Sequence, residues 1–172
     1  PGCWNDTARD YPRDKCVHQL FEEQAQTTPD AFAIVCRDQA LTYQQLNLQA
    51  NQIARYLQRR GVETGMPVGF CMERCPDIIA AILGILKAVG AYVPLDPCYP
   101  ADRLNYMAED AQRKVIITQV CLTDSLALSH VKILRLDEDR TVINQESIDS
   151  ISCTNSPDDL AYVMYTSGST GH

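Results

Sequence analysis

Histidine is scarce in this sequence, and basic residues are outnumbered. Three histidines occur, and 15 Lys and Arg stand against 22 Asp and Glu, giving a formal net charge of −7. That balance argues against a broad nucleic-acid or anionic-membrane surface, so neither nucleic acid nor membrane is expected as a partner. His18, His130 and His172 sit at no spacing that suits zinc, and Cys-x-x-Cys is absent, so no metal site is expected. No two glycines are five apart, which removes Gly-x-x-x-x-Gly-Lys-Ser/Thr, and Gly-x-Gly-x-x-Gly is also missing. A Walker-type nucleotide hydrolase and a dinucleotide dehydrogenase are therefore not expected. The longest apolar run, Ile78 to Val89, is broken by Gly84 and Lys87 and is too short to cross a bilayer. Eight cysteines are present, several inside apolar runs where a thiol behaves as a small hydrophobe. Free thiols and a cytoplasmic location are the expectation.

What is present reads as a globular α/β chain of 172 residues. Residues 1–16 are polar, carry two prolines and read as a linker, with Trp4 packing on its own domain. From Val17 onward periods appear. Val17, Leu20, Phe21 and Ala25 mark one helical face that Pro29 ends, and a strand follows at Ala31 to Cys36. Thr42 with Gln45 predicts a capping box, before a helix with the buried stripe Leu46, Ala50, Ile53, Ala54 and Leu57 and a stop at Gly61. Strands are predicted at Val68 to Met72, Ala91 to Leu95, Val115 to Thr118 and Val131 to Leu136. A buried helix should run from Pro76 to Gly90, and a second helix from Pro100 should bury Leu104, Met107, Ala108 and Ala111. Residues 137–159 read as an acidic, Ser-rich loop or edge segment, and Leu160 to Tyr165 as a last, central strand. Strand and helix alternate, which predicts layered α/β architecture with a largely parallel sheet and flanking helices.

The last strand runs into Thr166, Ser167, Gly168, Ser169, Thr170 and Gly171. Glycines let backbone N–H groups approach a phosphate, and hydroxyls add donors without bulk. A loop at the carboxyl end of a strand is where open α/β sheets place ligands. The composition alone fits two readings equally, a phosphate cradle and a flexible Ser/Gly connection. No Gly-x-Ser-x-Gly elbow surrounds Ser167, so neither Ser167 nor Ser169 is expected to act as a nucleophile. Lys87 is expected to lay its stem on the core with its ammonium in water, and Asp96 to form a turn with Pro97. Tyr92 and Tyr165 should pack between layers, and His18 should lie on the surface.

The run Leu160-Ala-Tyr-Val-Met-Tyr-Thr-Ser-Gly-Ser-Thr-Gly171 resembles the phosphate loop of adenylate-forming enzymes. More narrowly, it resembles the amino-acid adenylation domain of nonribosomal peptide synthetases. Leu41-Thr-Tyr-Gln-Gln-Leu46 is similar to that family's first core motif, and Leu86 to Pro97 (LKAVGAYVPLDP) to its second. Trp4-Asn-Asp-Thr and Tyr11-Pro12 resemble the linker that follows a condensation domain. Gln45 stands where the family usually has Glu, and Val89 where it often has Gly. Both departures bear on stability rather than chemistry.

The resemblance implies that residues 1–16 are an interdomain linker. Residues 17–172 would be the amino-terminal part of the large subdomain, incomplete at the carboxyl end. It implies an ATP-dependent ligase that joins an amino acid to AMP, releases pyrophosphate and loads a phosphopantetheine carrier. ATP and Mg2+ are the implied substrate and metal. The implied partners are the rest of the adenylation domain, on the same or a separate chain, with carrier and condensation domains. Thr166, Ser167, Gly168, Ser169, Thr170 and Gly171 would hold the ATP phosphates. No catalytic residue and no metal ligand is assigned within the chain, so this segment alone is expected to be inactive. An acyl-CoA ligase and a non-catalytic docking module with the same fold remain the alternatives.

Overall fold

The computed structural model describes residues 9–110, 115–126, 131–152 and 154–166. Trp4, Ala111 and residues 167–171 of the expected phosphate loop lie outside them. A helix α1 (Val17–Thr27) precedes an antiparallel hairpin, β1 (Phe32–Cys36) and β2 (Gln39–Thr42). The second strand of the hairpin escaped the sequence reading, because Gln39 to Thr42 is short and carries only two apolar residues. Thr42 then caps α2 (Tyr43–Arg59) as expected. Its hydroxyl accepts from the Gln45 N–H at 3.2 Å, while Gln45 Oε1 accepts from the Thr42 N–H at 2.9 Å. Gln in place of Glu still closes both bonds.

The main sheet consists of β3 (Pro67–Cys71), β4 (Ala91–Pro94), β5 (Val115–Thr118) and β6 (Lys132–Arg135) in the order β4-β3-β5-β6, all parallel. The buried helix α3 (Asp77–Lys87) connects β3 to β4, and α4 (Ala101–Asp110) leads from β4 across to β5. The strand period of two divides each strand between two cores. Val68, Phe70, Val115, Ile117 and Leu134 face α2 and α3, together with Leu46, Ala50, Ile53 and Leu57. Cys71, Ile116 and Leu95 face Leu104, Met107 and Ala108 of α4. Helices thus cover both faces, as a parallel sheet requires.

Four expectations need correction. Residues 137–159 are more than a loop: they contain α5 (Arg140–Ile143), and the segment is strapped to α2. Gln52 Nε2 donates to the carbonyls of Asn144 and Glu146, Asn51 Nδ2 to that of Ile148, and Arg55 to that of Asp149. Side chains of α2, not an internal period, order this stretch. His18 is buried, because α1 turns it inward. Lys87 keeps no ammonium in water, since its side chain is 1% exposed. Its Nζ donates to Asn47 Oδ1 and Asn51 Oδ1 at 2.8 Å each and pairs with Glu22 of α1. Finally, Leu160 to Tyr165 is no central strand. It meets the sheet at one parallel bridge, Tyr162 beside Tyr92, on the outer edge of β4. Pairing on one side only leaves Leu160, Tyr162 and Met164 half-exposed at 51%, 51% and 59%.

Candidate functional site

Every strand of the main sheet points its carboxyl end the same way, and the segment 160–166 joins in that direction. The Tyr92 N–H donates to the Ala161 carbonyl and the Val163 N–H to the Tyr92 carbonyl, both at 3.0 Å. Tyr162 stacks on Tyr92 with ring centroids 5.4 Å apart. On the opposite side, the Tyr165 hydroxyl donates to Asp110 Oδ2 at 2.7 Å, at the end of α4. These contacts fix the direction in which the backbone reaches Thr166. That residue, the first of the expected phosphate loop, leaves the sheet at its carboxyl edge and is exposed. Ser167, Gly168, Ser169, Thr170 and Gly171 lie outside the described residues.

The same edge holds a cavity of about 620 Å3 beyond the ends of β3 and β4. Phe70, Met72, Arg74, Pro94, Asp96 and Leu122 are among its walls. The strand order reverses between β3 and β5, because β4 lies to one side of β3 and β5 with β6 to the other. Open α/β sheets bind ligands outside the carboxyl ends at such a switch point. Gln119 spans that point, accepting the Glu73 N–H on its Oε1 at 2.8 Å. It thereby ties the loop after β3 to the loop after β5, and sequence reasoning missed it.

Other side chains on this edge have structural tasks. Asp96 accepts the Cys98 N–H at 2.9 Å, closing the expected turn. Tyr92 also packs at 6.2 Å from Phe70, within the layers as expected. The thiols here are poor nucleophiles: burial pushes Cys71 up to about 11, and a hydrogen bond to Asp96 raises Cys98. Among the described residues, Cys71 and Cys98 therefore supply no ready attacking group at this edge. Among the described residues no group of three His, Cys, Asp or Glu could hold a metal ion, so none is assigned to the implied Mg2+. Cys36, Cys71, Cys75, Cys98 and Cys121 form no disulfide, and no helix among the described residues is long and apolar enough to cross a membrane.

Comparison with known proteins bears on this edge. Residues 21–172 match the family "AMP-binding enzyme". The chain is 51% identical over 168 residues to bacitracin synthase 1 of Bacillus licheniformis, covering 98% of this chain and 3% of that protein. It is 47% identical over 168 residues to gramicidin S synthase 2 of Brevibacillus brevis, covering 98% of this chain and 4% of that protein. Among solved structures, the AMPPNP-bound form of the nonribosomal peptide synthetase FmoA3 superposes with a TM-score of 0.85 at 39% identity. That match covers 95% of this chain and 17% of the FmoA3 chain. The chain thus spans a small part of the relatives that it matches.

Proposed function

The chain belongs to the AMP-binding enzyme family, and on that premise we propose that it is the amino-terminal part of an amino-acid-activating domain in a nonribosomal peptide synthetase. The complete domain condenses an amino acid with ATP to give aminoacyl-AMP and pyrophosphate. The aminoacyl group then passes to the phosphopantetheine thiol of a carrier domain. The observation that carries this reading is the course of residues 160–166. They bring Thr166 to the carboxyl edge of a parallel sheet whose relatives include peptide synthetases at about half identity.

In this reading the amino-acid carboxylate is the nucleophile, so the protein need not supply one. Its task is to hold the leaving phosphates while charge builds on them. Thr166, Ser167, Ser169 and Thr170 supply hydroxyl donors, and Gly168 and Gly171 let the backbone N–H groups come close. The free, high-pKa thiols on the same edge fit a site without a covalent protein intermediate. Likeness to antibiotic peptide synthases along nearly the whole chain supports the amino-acid substrate over the acyl-CoA ligase alternative. Condensation and carrier domains are the partners proposed with it, and the chain by itself is inactive.

Calorimetric titration of ATP into the full-length polypeptide tests the loop assignment. Binding should be saturable in the wild type and lost in Gly168→Val, with an unchanged circular dichroism spectrum. Undiminished ATP binding by that variant would remove the phosphate role from the loop.

A further inference from the structure

The segment that carries Thr166 loses its backbone pairing with β4 before it arrives there. That pairing centres on Tyr162 beside Tyr92, through the bonds from the Tyr92 N–H to the Ala161 carbonyl and from the Val163 N–H to the Tyr92 carbonyl. The next donor from β4 in this register would be residue 94, which is proline and has no N–H. Among the described residues, the backbone bonds between this segment and β4 accordingly end at Val163. A side chain takes over from there. The half-buried ring of Tyr165 packs against the core that holds Leu104, Met107 and Ala108 of α4. Its hydroxyl donates to Asp110 Oδ2 at 2.7 Å. Hydroxyl-to-carboxylate bonds are short and stronger than bonds between neutral groups. Asp110 is exposed and joins no ion pair among the described residues, so the Tyr165 hydroxyl is the group that it holds.

We propose that Asp110 is a positioning residue for ATP, holding Thr166 through the Tyr165 hydroxyl in the pose that receives the phosphates. This rests on the phosphate-loop reading given above. Asp110 acts through Tyr165 and touches no substrate itself. A residue ordered before the ligand arrives spares the ordering cost that binding would otherwise meet. The apparent affinity then follows the fraction of molecules already in the competent pose. Removing the bond from α4 lowers that fraction, because Thr166 gains orientations that face away from the phosphates. In this reading Thr166 meets phosphate and not the amino acid, so the effect falls on ATP.

The test is calorimetric titration of ATP, without amino acid, into the full-length polypeptide, alongside amino-acid-dependent pyrophosphate exchange. Tyr165→Phe keeps the ring and loses only the hydroxyl. It should weaken ATP binding about three- to tenfold and raise the ATP KM by a like factor. The KM for the amino acid and the melting temperature should stay as in the wild type. Asp110→Leu should weaken ATP binding as much as Tyr165→Phe does. Asp110→Asn, whose amide oxygen still accepts the bond, should retain most of the affinity. The double variant Tyr165→Phe with Asp110→Leu should bind ATP no more weakly than either single variant. Wild-type ATP affinity in Tyr165→Phe, an equal rise in the amino-acid KM, or additive losses in the double variant would overturn the proposal and leave the adenylation reading standing. A wild-type protein that binds no ATP would overturn both.

Discussion

Val89 occupies, at the end of α3, the left-handed position that Gly61 occupies at the end of α2. Their φ angles are +62° and +92°. Both helices close with the same pair of bonds. Gly61 N–H donates to Gln58 and Val62 N–H to Leu57, while Val89 N–H donates to Leu86 and Gly90 N–H to Ile85. This is the Schellman arrangement, in which the residue after the cap must turn left-handed. Gly61 does so freely. Val89 does so against the clash of a β-branched side chain. Val89→Gly should therefore stabilise the fold by about 1 kcal/mol. Urea unfolding measures it, and a lower midpoint for the variant would show that the packing of Val89 outweighs its backbone strain.

Lys87 is a buried charge, held by Glu22, Asn47 and Asn51. Lys87→Met keeps the stem but strands the Glu22 carboxylate and two amide oxygens. Removing one member of a buried pair in this way costs about 3–5 kcal/mol. The double variant Lys87→Met with Glu22→Gln should recover part of that loss. Equal stability of single variant and wild type would mean that the pair is solvated.

Gly84 lets α3 approach α2. A methyl group there would lie 2.5 Å from Ile53 Cγ2 and 2.9 Å from Ile53 Cβ. Gly84→Ala should thus destabilise by about 1–3 kcal/mol through overpacking. Ile53→Ala in the same protein should relieve the clash, so the two changes will not add. Strict additivity in a double-mutant cycle would contradict this contact.

Burial holds the His18 imidazole below its ordinary 6.5, with Glu22 opposing and Lys87 reinforcing that effect. The unfolded chain then takes up a proton before the folded one does. Stability should fall as pH drops below about 6.5, with the full penalty reached below the folded-state value. His18→Gln should flatten this slope between about pH 7.5 and pH 5.5. A slope that the substitution leaves unchanged would assign it to other groups.

The parallel sheet was legible because β3, β4 and β5 are nearly continuous apolar runs, as strands covered on both faces must be. The capping box at Thr42 and the turn at Asp96 were equally local, each carried by one side chain and its near neighbours. What escaped the sequence depends on partners distant along the chain. Lys87 is buried because Glu22 and two asparagines from other helices meet it. The one trace in the sequence is Asn47 and Asn51, one turn apart beside the apolar stripe of α2. The strap at residues 144–149 has no period of its own and takes its order from Asn51, Gln52 and Arg55. At the site, the direction of approach to Thr166 could be read, because a strand signal and a Ser/Gly run lie end to end. Gln119 could not, since one polar residue after a strand carries no signal until the neighbouring loop donates to it.

The central claim is that this edge belongs to an enzyme that joins amino acids to AMP. The direct measurement is exchange of labelled pyrophosphate into ATP by the full-length polypeptide, across a panel of amino acids and simple carboxylic acids. Exchange should depend on one or a few amino acids and disappear in Gly168→Val with the fold intact. Exchange driven only by carboxylic acids that lack an amino group, or undiminished in that variant, would contradict the account.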